Sequence, residues 1–189
     1  MPVAIEEFQK AVATFRNRKA TFRKLVQDRQ TDRRQLKDLQ KDLQNYYRIE
    51  IKSKFIDGKI ISLIEAALSG QDPKSIIVFA EAIAQGLSSY GVTTNTLRNI
   101  FGYAKKLDVS ETGKQGEISN ETRTKVYLMA PKIAYIEGRA EPYSRDGVSL
   151  LKEVVETAVE KIGNDRTKFK NFMALFESII SYFRYYNPK

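Results

Sequence analysis

The sequence contains no cysteine and no histidine. The first absence excludes structural disulfides. Together the two exclude zinc sites built from thiolate and imidazole. They also remove the commonest strong nucleophile and the commonest general base, leaving only carboxylate or lysine chemistry open. The absence of cysteine says nothing about redox compartment. No run of 18 or more apolar residues occurs, so no transmembrane helix is predicted. The start, Met1-Pro2-Val3-Ala4-Ile5-Glu6-Glu7, lacks a basic n-region and an apolar h-region. A signal peptide is therefore not expected, and a cytoplasmic location is the default. There is no alternating strand of useful length, no alignable internal repeat and no glycine-rich phosphate loop of the P-loop or Rossmann kind. Carboxylates do not cluster either. Glu65, Glu81 and Glu177 lie near apolar helices but read as separate helix-edge residues. Metal-dependent nuclease chemistry needs such groups gathered around one or two ions. The chain is not expected to be an enzyme, and no cofactor or metal is expected.

What is present is charge and helix. The 189 residues allow one domain, or one domain plus an appended element. A hydrophobic content of 42% supports a core, and the net charge of +9 favours anionic partners, chiefly nucleic acid or an acidic membrane surface.

Residues 3–52 read as one long helix or two consecutive ones, because no glycine or proline interrupts 3–57. Phe8, Val12, Phe15, Phe22, Val26, Leu36, Leu43 and Tyr47 recur close to a seven-residue repeat, which breaks where Arg29 and Arg33 fall on it. Such a thin seam buries little by itself and wants a partner. The segment is either a solvated face around that seam or an arm that packs on another subunit or touches nucleic acid. Asp57-Gly58 marks a turn. A short apolar helix then ends at Ser69-Gly70, and Asp72-Pro73 opens the next, with Ile76, Ile77, Phe79, Ala80, Ile83, Ala84 and Leu87 as its predicted core face.

The chain is organised around residues 93–139. Thr93 and Thr94 cap a helix over 94–107 that buries Leu97, Ile100, Phe101, Ala104 and Leu107. Arg98, Gly102 and Lys105 share one stripe of it. Glycine there costs about 1 kcal/mol against alanine, which favours a close packing contact at Gly102, or else the approach of a phosphate. Residues 108–120 read as a mobile polar loop. A second helix spans 122–139, with Pro131 inside the pattern expected to kink it or to start a new segment. Lys125, Lys132 and Arg139 stand seven apart, with Tyr135 between the last two. A basic row with an interleaved aromatic suits nucleic acid, and it equally suits a solvated face with a half-buried tyrosine. After a loop over 140–147, an amphipathic helix over 148–162 precedes a phenylalanine-rich last helix. Near its end Tyr182, Tyr185 and Tyr186 are candidates to cover an adjacent subunit. The predicted fold is all-α: a helical bundle of about five to seven helices, with an N-terminal extension over 1–53 and a core domain over 54–189.

Three pieces of the sequence extend this reading by resemblance: Thr93-Thr94-Asn95-Thr96-Leu97-Arg98-Asn99-Ile100-Phe101, then Leu128-Met129-Ala130-Pro131-Lys132-Ile133-Ala134-Tyr135-Ile136-Glu137-Gly138-Arg139, then the helix from Phe169 to Tyr182. Over about residues 75–186 the chain resembles the small helical subunit of type III-A CRISPR (Csm) effector complexes. Thr96-Leu97-Arg98 stands where that family usually has Gln-Ile-Arg, and the first fifty residues have no counterpart. The resemblance implies a non-catalytic RNA-binding subunit in antiviral defence. Copies of it would self-associate as a filament beside the backbone subunits, with the large subunit also a partner. Target cleavage would belong to the backbone subunit. Guide RNA and target RNA are the implied ligands, with Arg98, Lys105, Lys132 and Arg139 on the sugar–phosphate backbone, Lys106 and Lys125 as second choices, and Tyr135 as a packing or stacking support. Two other classes compete with this reading. A helix-turn-helix DNA binder is disfavoured by the long link after the first key helix. A coiled-coil adaptor would be organised by the N-terminal helix.

Overall fold

Helix is the only regular structure among the described residues of the computed structural model, which are 5–28, 32–111 and 116–187. The chain divides into two compact units, Met1–Lys59 and Ile60–Lys189.

The first unit is a helical hairpin. Helix α1 (Ile5–Gln27) and helix α2 (Arg33–Tyr46) are followed by a π-helix, π1 (Tyr47–Ile56). The Asp32 carboxylate caps α2 by accepting from the Arg34 amide at 3.0 Å. The predicted break in the seam is where the chain turns back; Arg33 is exposed, and Arg29 lies outside the described residues. Phe8 stacks on Phe55 with ring centroids 5.0 Å apart, and Phe15 meets Tyr47 edge-on at 6.2 Å. The Tyr46 hydroxyl donates to the Ala11 carbonyl at 3.3 Å. Early α1 thus pairs with late π1, an antiparallel closure in which the seam finds its partner in its own chain. Phe8, Val12, Phe15, Leu43 and Tyr47 are buried as the repeat predicts. Phe22 and Leu36 are only half-buried, and Val26 is exposed, because they lie toward the end of the hairpin where α1 passes to α2, away from the packed Phe8, Phe15, Tyr47 and Phe55 rings.

The second unit holds α3 (Ile60–Ser69), α4 (Pro73–Ser89), α5 (Thr94–Glu111), α6 (Asn120–Tyr127), α7 (Met129–Gly138), α8 (Arg145–Ile162) and α9 (Arg166–Tyr186). Helix α4 lies between α9, α8 and α3 and is buried on all sides from Val78 to Ser89. Its predicted core face shifts accordingly: Ile77 is exposed and Ile76 half-buried, while Val78 and Ala82 are inside. Burying a side chain such as Val78 is worth about 1.5–3 kcal/mol. The start of α8 comes close to the turn after α4. A Cβ on Gly147 would lie 2.5 Å from Val92 Cγ2, so only glycine permits the approach.

A buried polar cluster of this core joins α4 to α9. Glu81 is not at a helix edge, as the sequence suggests, but 2% exposed, and its carboxylate accepts from the Tyr186 hydroxyl. Gln85 Nε2 donates to the same hydroxyl at 2.8 Å. Tyr186 is therefore not available to cover an adjacent subunit. The other two carboxylates sit in surface ion pairs, Glu65 with Lys161 at 2.6 Å and Glu177 with Lys105 at 2.8 Å.

The region predicted as a mobile loop over 108–120 differs at both ends. Helix α5 continues through Glu111. Downstream, Arg166 donates to the carbonyls of Gly116 at 2.9 Å and Glu117 at 2.6 Å, and the Ile118 amide donates to Asn164 O at 3.1 Å. Ile118 itself is buried. Residues 112–115 of this stretch lie outside the described residues.

Candidate nucleic-acid interface

The candidate interface is built on α5, α6 and α7. Thr93 caps α5, its hydroxyl accepting from the Thr96 amide at 3.2 Å. Leu97, Ile100, Ala104 and Leu107 are buried. Phe101 is half-buried and meets Phe176 of α9 edge-on at 5.9 Å. Asn99, Arg98, Lys105 and Lys106 are left exposed.

The predicted helix over 122–139 is two helices. Ser119 caps α6 by accepting from the Thr122 amide at 3.1 Å, and α6 ends at Tyr127. Leu128 separates it from α7. Pro131 causes the break. It has no amide to give to the Tyr127 carbonyl, and its ring crowds that carbonyl, so the chain restarts with Pro131 in the first turn of α7. Helix α7 is held to α8 through Glu137, whose carboxylate accepts from the Ser149 hydroxyl and pairs with Lys152 at 2.9 Å. The Ser149 and Lys152 bonds hold the Glu137 carboxyl below the usual carboxylate range.

Between α5 and α7 lies a cleft of about 490 Å³, lined by Asn99, Ile100, Tyr103, Met129, Lys132 and Tyr135 among others. Tyr103 connects its walls. Its hydroxyl donates to the Lys125 carbonyl at 3.1 Å, and the Lys132 ammonium sits 3.6 Å from its ring centroid. Tyr135 is 63% exposed at the cleft edge. The Arg139 guanidinium lies 5.5 Å from the Tyr135 ring and donates to its hydroxyl. The row Lys125, Lys132, Arg139 is therefore not a stripe on one continuous helix. The Tyr103 and Tyr135 rings, with the Lys125 carbonyl, bring its members together.

The six cations singled out by the sequence fall into two groups. Arg98, Lys106, Lys132 and Arg139 are exposed and, among the described residues, enter no ion pair. Lys105 pairs with Glu177, and Lys125 with Glu121, whose hydrogen bond raises the Lys125 ammonium above its ordinary range. Each of these two presents a cation already matched by a carboxylate. Gly102 departs from the packing expectation, since a Cβ there would meet nothing within 4 Å. The sequence reading missed Tyr103. Asn99, Tyr103 and Lys106 stand at steps of four and three, which is the available signal. Among the described residues no group of three or more His, Cys, Asp or Glu is placed to hold a metal ion, and no helix is long and apolar enough to cross a membrane.

Fold and surface together define an all-α domain with exposed cations and aromatic rings around an apolar cleft. The chain belongs to the Csm2 Type III-A family, whose model matches residues 70–189. That family supplies the small subunit of type III-A CRISPR effector complexes, so the chain has other effector subunits as partners. No curated protein and no solved structure matches it. The match begins after α3, so it covers the whole candidate interface and none of the N-terminal hairpin.

Proposed function

We propose that this protein is a non-catalytic, cytoplasmic small subunit that contacts the backbone of paired guide and target RNA and stacks with further copies beside the backbone subunits in antiviral defence. Arg98, Lys106, Lys132 and Arg139 meet phosphate, Tyr135 supports a base or sugar, and Lys105 and Lys125 contribute less because each already has a carboxylate. The observation that supports this most directly is Lys132. Its ammonium is held over the Tyr103 ring at the lip of an apolar cleft, with no carboxylate pair among the described residues. A guide–target duplex presents its sugar–phosphate surface outward, and base pairing reads the sequence, so the protein needs cations rather than base-specific donors.

The test compares wild type with Lys132→Ala, each tagged and recovered from its native cell. Both are expected to bring down other effector subunits, and wild type is expected to bring down short RNAs sharing a repeat-derived end. With purified protein, Lys132→Ala should weaken binding alike for two unrelated RNA sequences and lower the salt slope by about one unit. Weakening confined to one sequence refutes the backbone contact. Recovery of a single helical partner and no RNA refutes the effector-subunit role and favours an adaptor.

A further inference from the structure

Charge is divided unevenly along the chain. Residues 1–59 hold 15 lysines and arginines against 8 carboxylates, a net +7, whereas residues 60–189 hold 17 against 15, a net +2. Most of the basic surplus thus lies in the hairpin, outside the span matched by the family model. Ion pairs occur in both units, and in the first they join Lys52 to Asp57 and Lys54 to Glu50. In the second unit Lys105, Lys125, Lys152 and Lys161 each meet a carboxylate. On α2, Arg34, Lys37 and Lys41 are exposed and, among the described residues, enter no ion pair. They stand three and four residues apart, on one stripe of the helix. Arg48 continues that stripe seven residues past Lys41, in the first turn of π1, where it donates to Asn45 Oδ1 at 3.5 Å. Asp38 and Asp42 lie to one side of the stripe.

The geometry selects the kind of anion. Cations three or four residues apart on a helix are about 5–6 Å from one another at Cβ. A row of them matches a chain of regularly spaced charges better than it matches a single carboxylate. A helix lying on a lipid surface needs its apolar face free for the bilayer. The apolar face of α2 is largely occupied within the hairpin: Leu43 is buried, Leu36 and Leu39 are half-buried, and the Tyr46 hydroxyl is bonded to α1. Within the hairpin, burial and then the neighbouring Arg23 lower the Lys19 ammonium to about 8.

We propose that the α1–α2 hairpin is a second nucleic-acid contact, separate from the α5–α7 cleft, in which Arg34, Lys37, Lys41 and Arg48 lie along the sugar–phosphate backbone of single-stranded RNA. The inference holds whichever residues of the second unit meet RNA.

The test uses the full chain and a fluorescein-labelled single-stranded RNA of mixed sequence, titrated across a salt series. Each backbone contact to a single strand contributes about 0.7 to the salt slope, so replacing all four residues with glutamine should lower it by about three units. Affinity at physiological salt should fall roughly tenfold or more. Arg34→Lys with Arg48→Lys, which keeps both charges, should retain the wild-type slope. All four side chains are exposed, so the thermal melt should not move. If the quadruple variant does not fold, the pairs Arg34→Gln with Lys37→Gln and Lys41→Gln with Arg48→Gln should each remove about half of the slope change. A wild-type slope and affinity in the glutamine variants overturns the proposal. So does loss of binding to phosphatidylserine vesicles with RNA binding intact, which would assign the stripe to a lipid surface. Either result leaves the Lys132→Ala comparison unaffected, so failure here is distinguishable from failure of the proposed function.

Discussion

Tyr103 offers a way to separate the scaffold of the cleft from its charge. Tyr103→Phe keeps the ring under Lys132 and removes only the hydroxyl that donates to the Lys125 carbonyl at 3.1 Å. A half-buried hydrogen bond of this kind is worth about 1 kcal/mol. For a chain of this length that corresponds to a fall in Tm of about 2–4 °C. Tyr103→Leu removes the same bond and also the ring. The lost cation–π contact adds about 0.5–1 kcal/mol at an exposed site. If the ring fixes Lys132 for phosphate, the leucine variant should bind RNA about two- to fivefold more weakly than wild type, since each 1.4 kcal/mol is a factor of ten. The phenylalanine variant should bind within about twofold of wild type by the same conversion. Differential scanning fluorimetry gives the first quantity, and fluorescence anisotropy with one labelled RNA at fixed salt gives the second. Equal loss of RNA binding in the two variants would refute the reasoning, because it would place the effect in the hydroxyl bond rather than in the positioning of the ammonium. Unchanged binding in Tyr103→Leu would remove Tyr103 from the interface altogether.

Two further outcomes follow from buried groups. Tyr186→Phe deletes the hydroxyl shared by Glu81 and Gln85 in a core where all three are nearly inaccessible, and should lower stability by about 1–3 kcal/mol, while the exposed Tyr185→Phe should do little. Urea unfolding of both variants checks this, and equal midpoints would contradict it. Lys19 has a folded pKa of about 8, below its unfolded value of 10.5, so the unfolded chain binds more protons between those values and stability rises with pH across that window. Lys19→Met should therefore stabilise the protein at pH 7 by an amount of order 1–3 kcal/mol, and the gain should shrink toward pH 10. A gain that is the same at both pH values would show that the charge of Lys19 is not its cause.

The amino-acid sequence by itself determined the all-α class and the family. The class follows from apolar residues at helical spacing, with capping residues where helices begin and no alternating run, and these are local properties of the chain. Asp32, Asp72, Thr93, Ser119 and Asp165 all cap helices through their own side chains. Pro131 foretold an interruption that fell at Leu128, because the donor it lacks and the carbonyl it crowds both concern Tyr127, four positions earlier, where α6 ends. Tertiary structure decided what spacing cannot express. Spacing gave a seven-residue seam near the N-terminus but not its partner. That partner is the same chain folded back, because Phe8 and Phe15 reach aromatics about 30–50 residues away. Spacing placed Glu81 at a helix edge, whereas α4 is enclosed on every side and its polar residues must find partners inside. It grouped Lys105 and Lys125 with Lys132, but carboxylates brought in by α9 and by the first turn of α6 match the first two and leave the third exposed. Which cations remain available to an anion is set by the neighbours that folding brings to them: Glu121 lies one helical turn from Lys125, but Glu177 lies on α9, at a separation from Lys105 that a helical repeat does not reach.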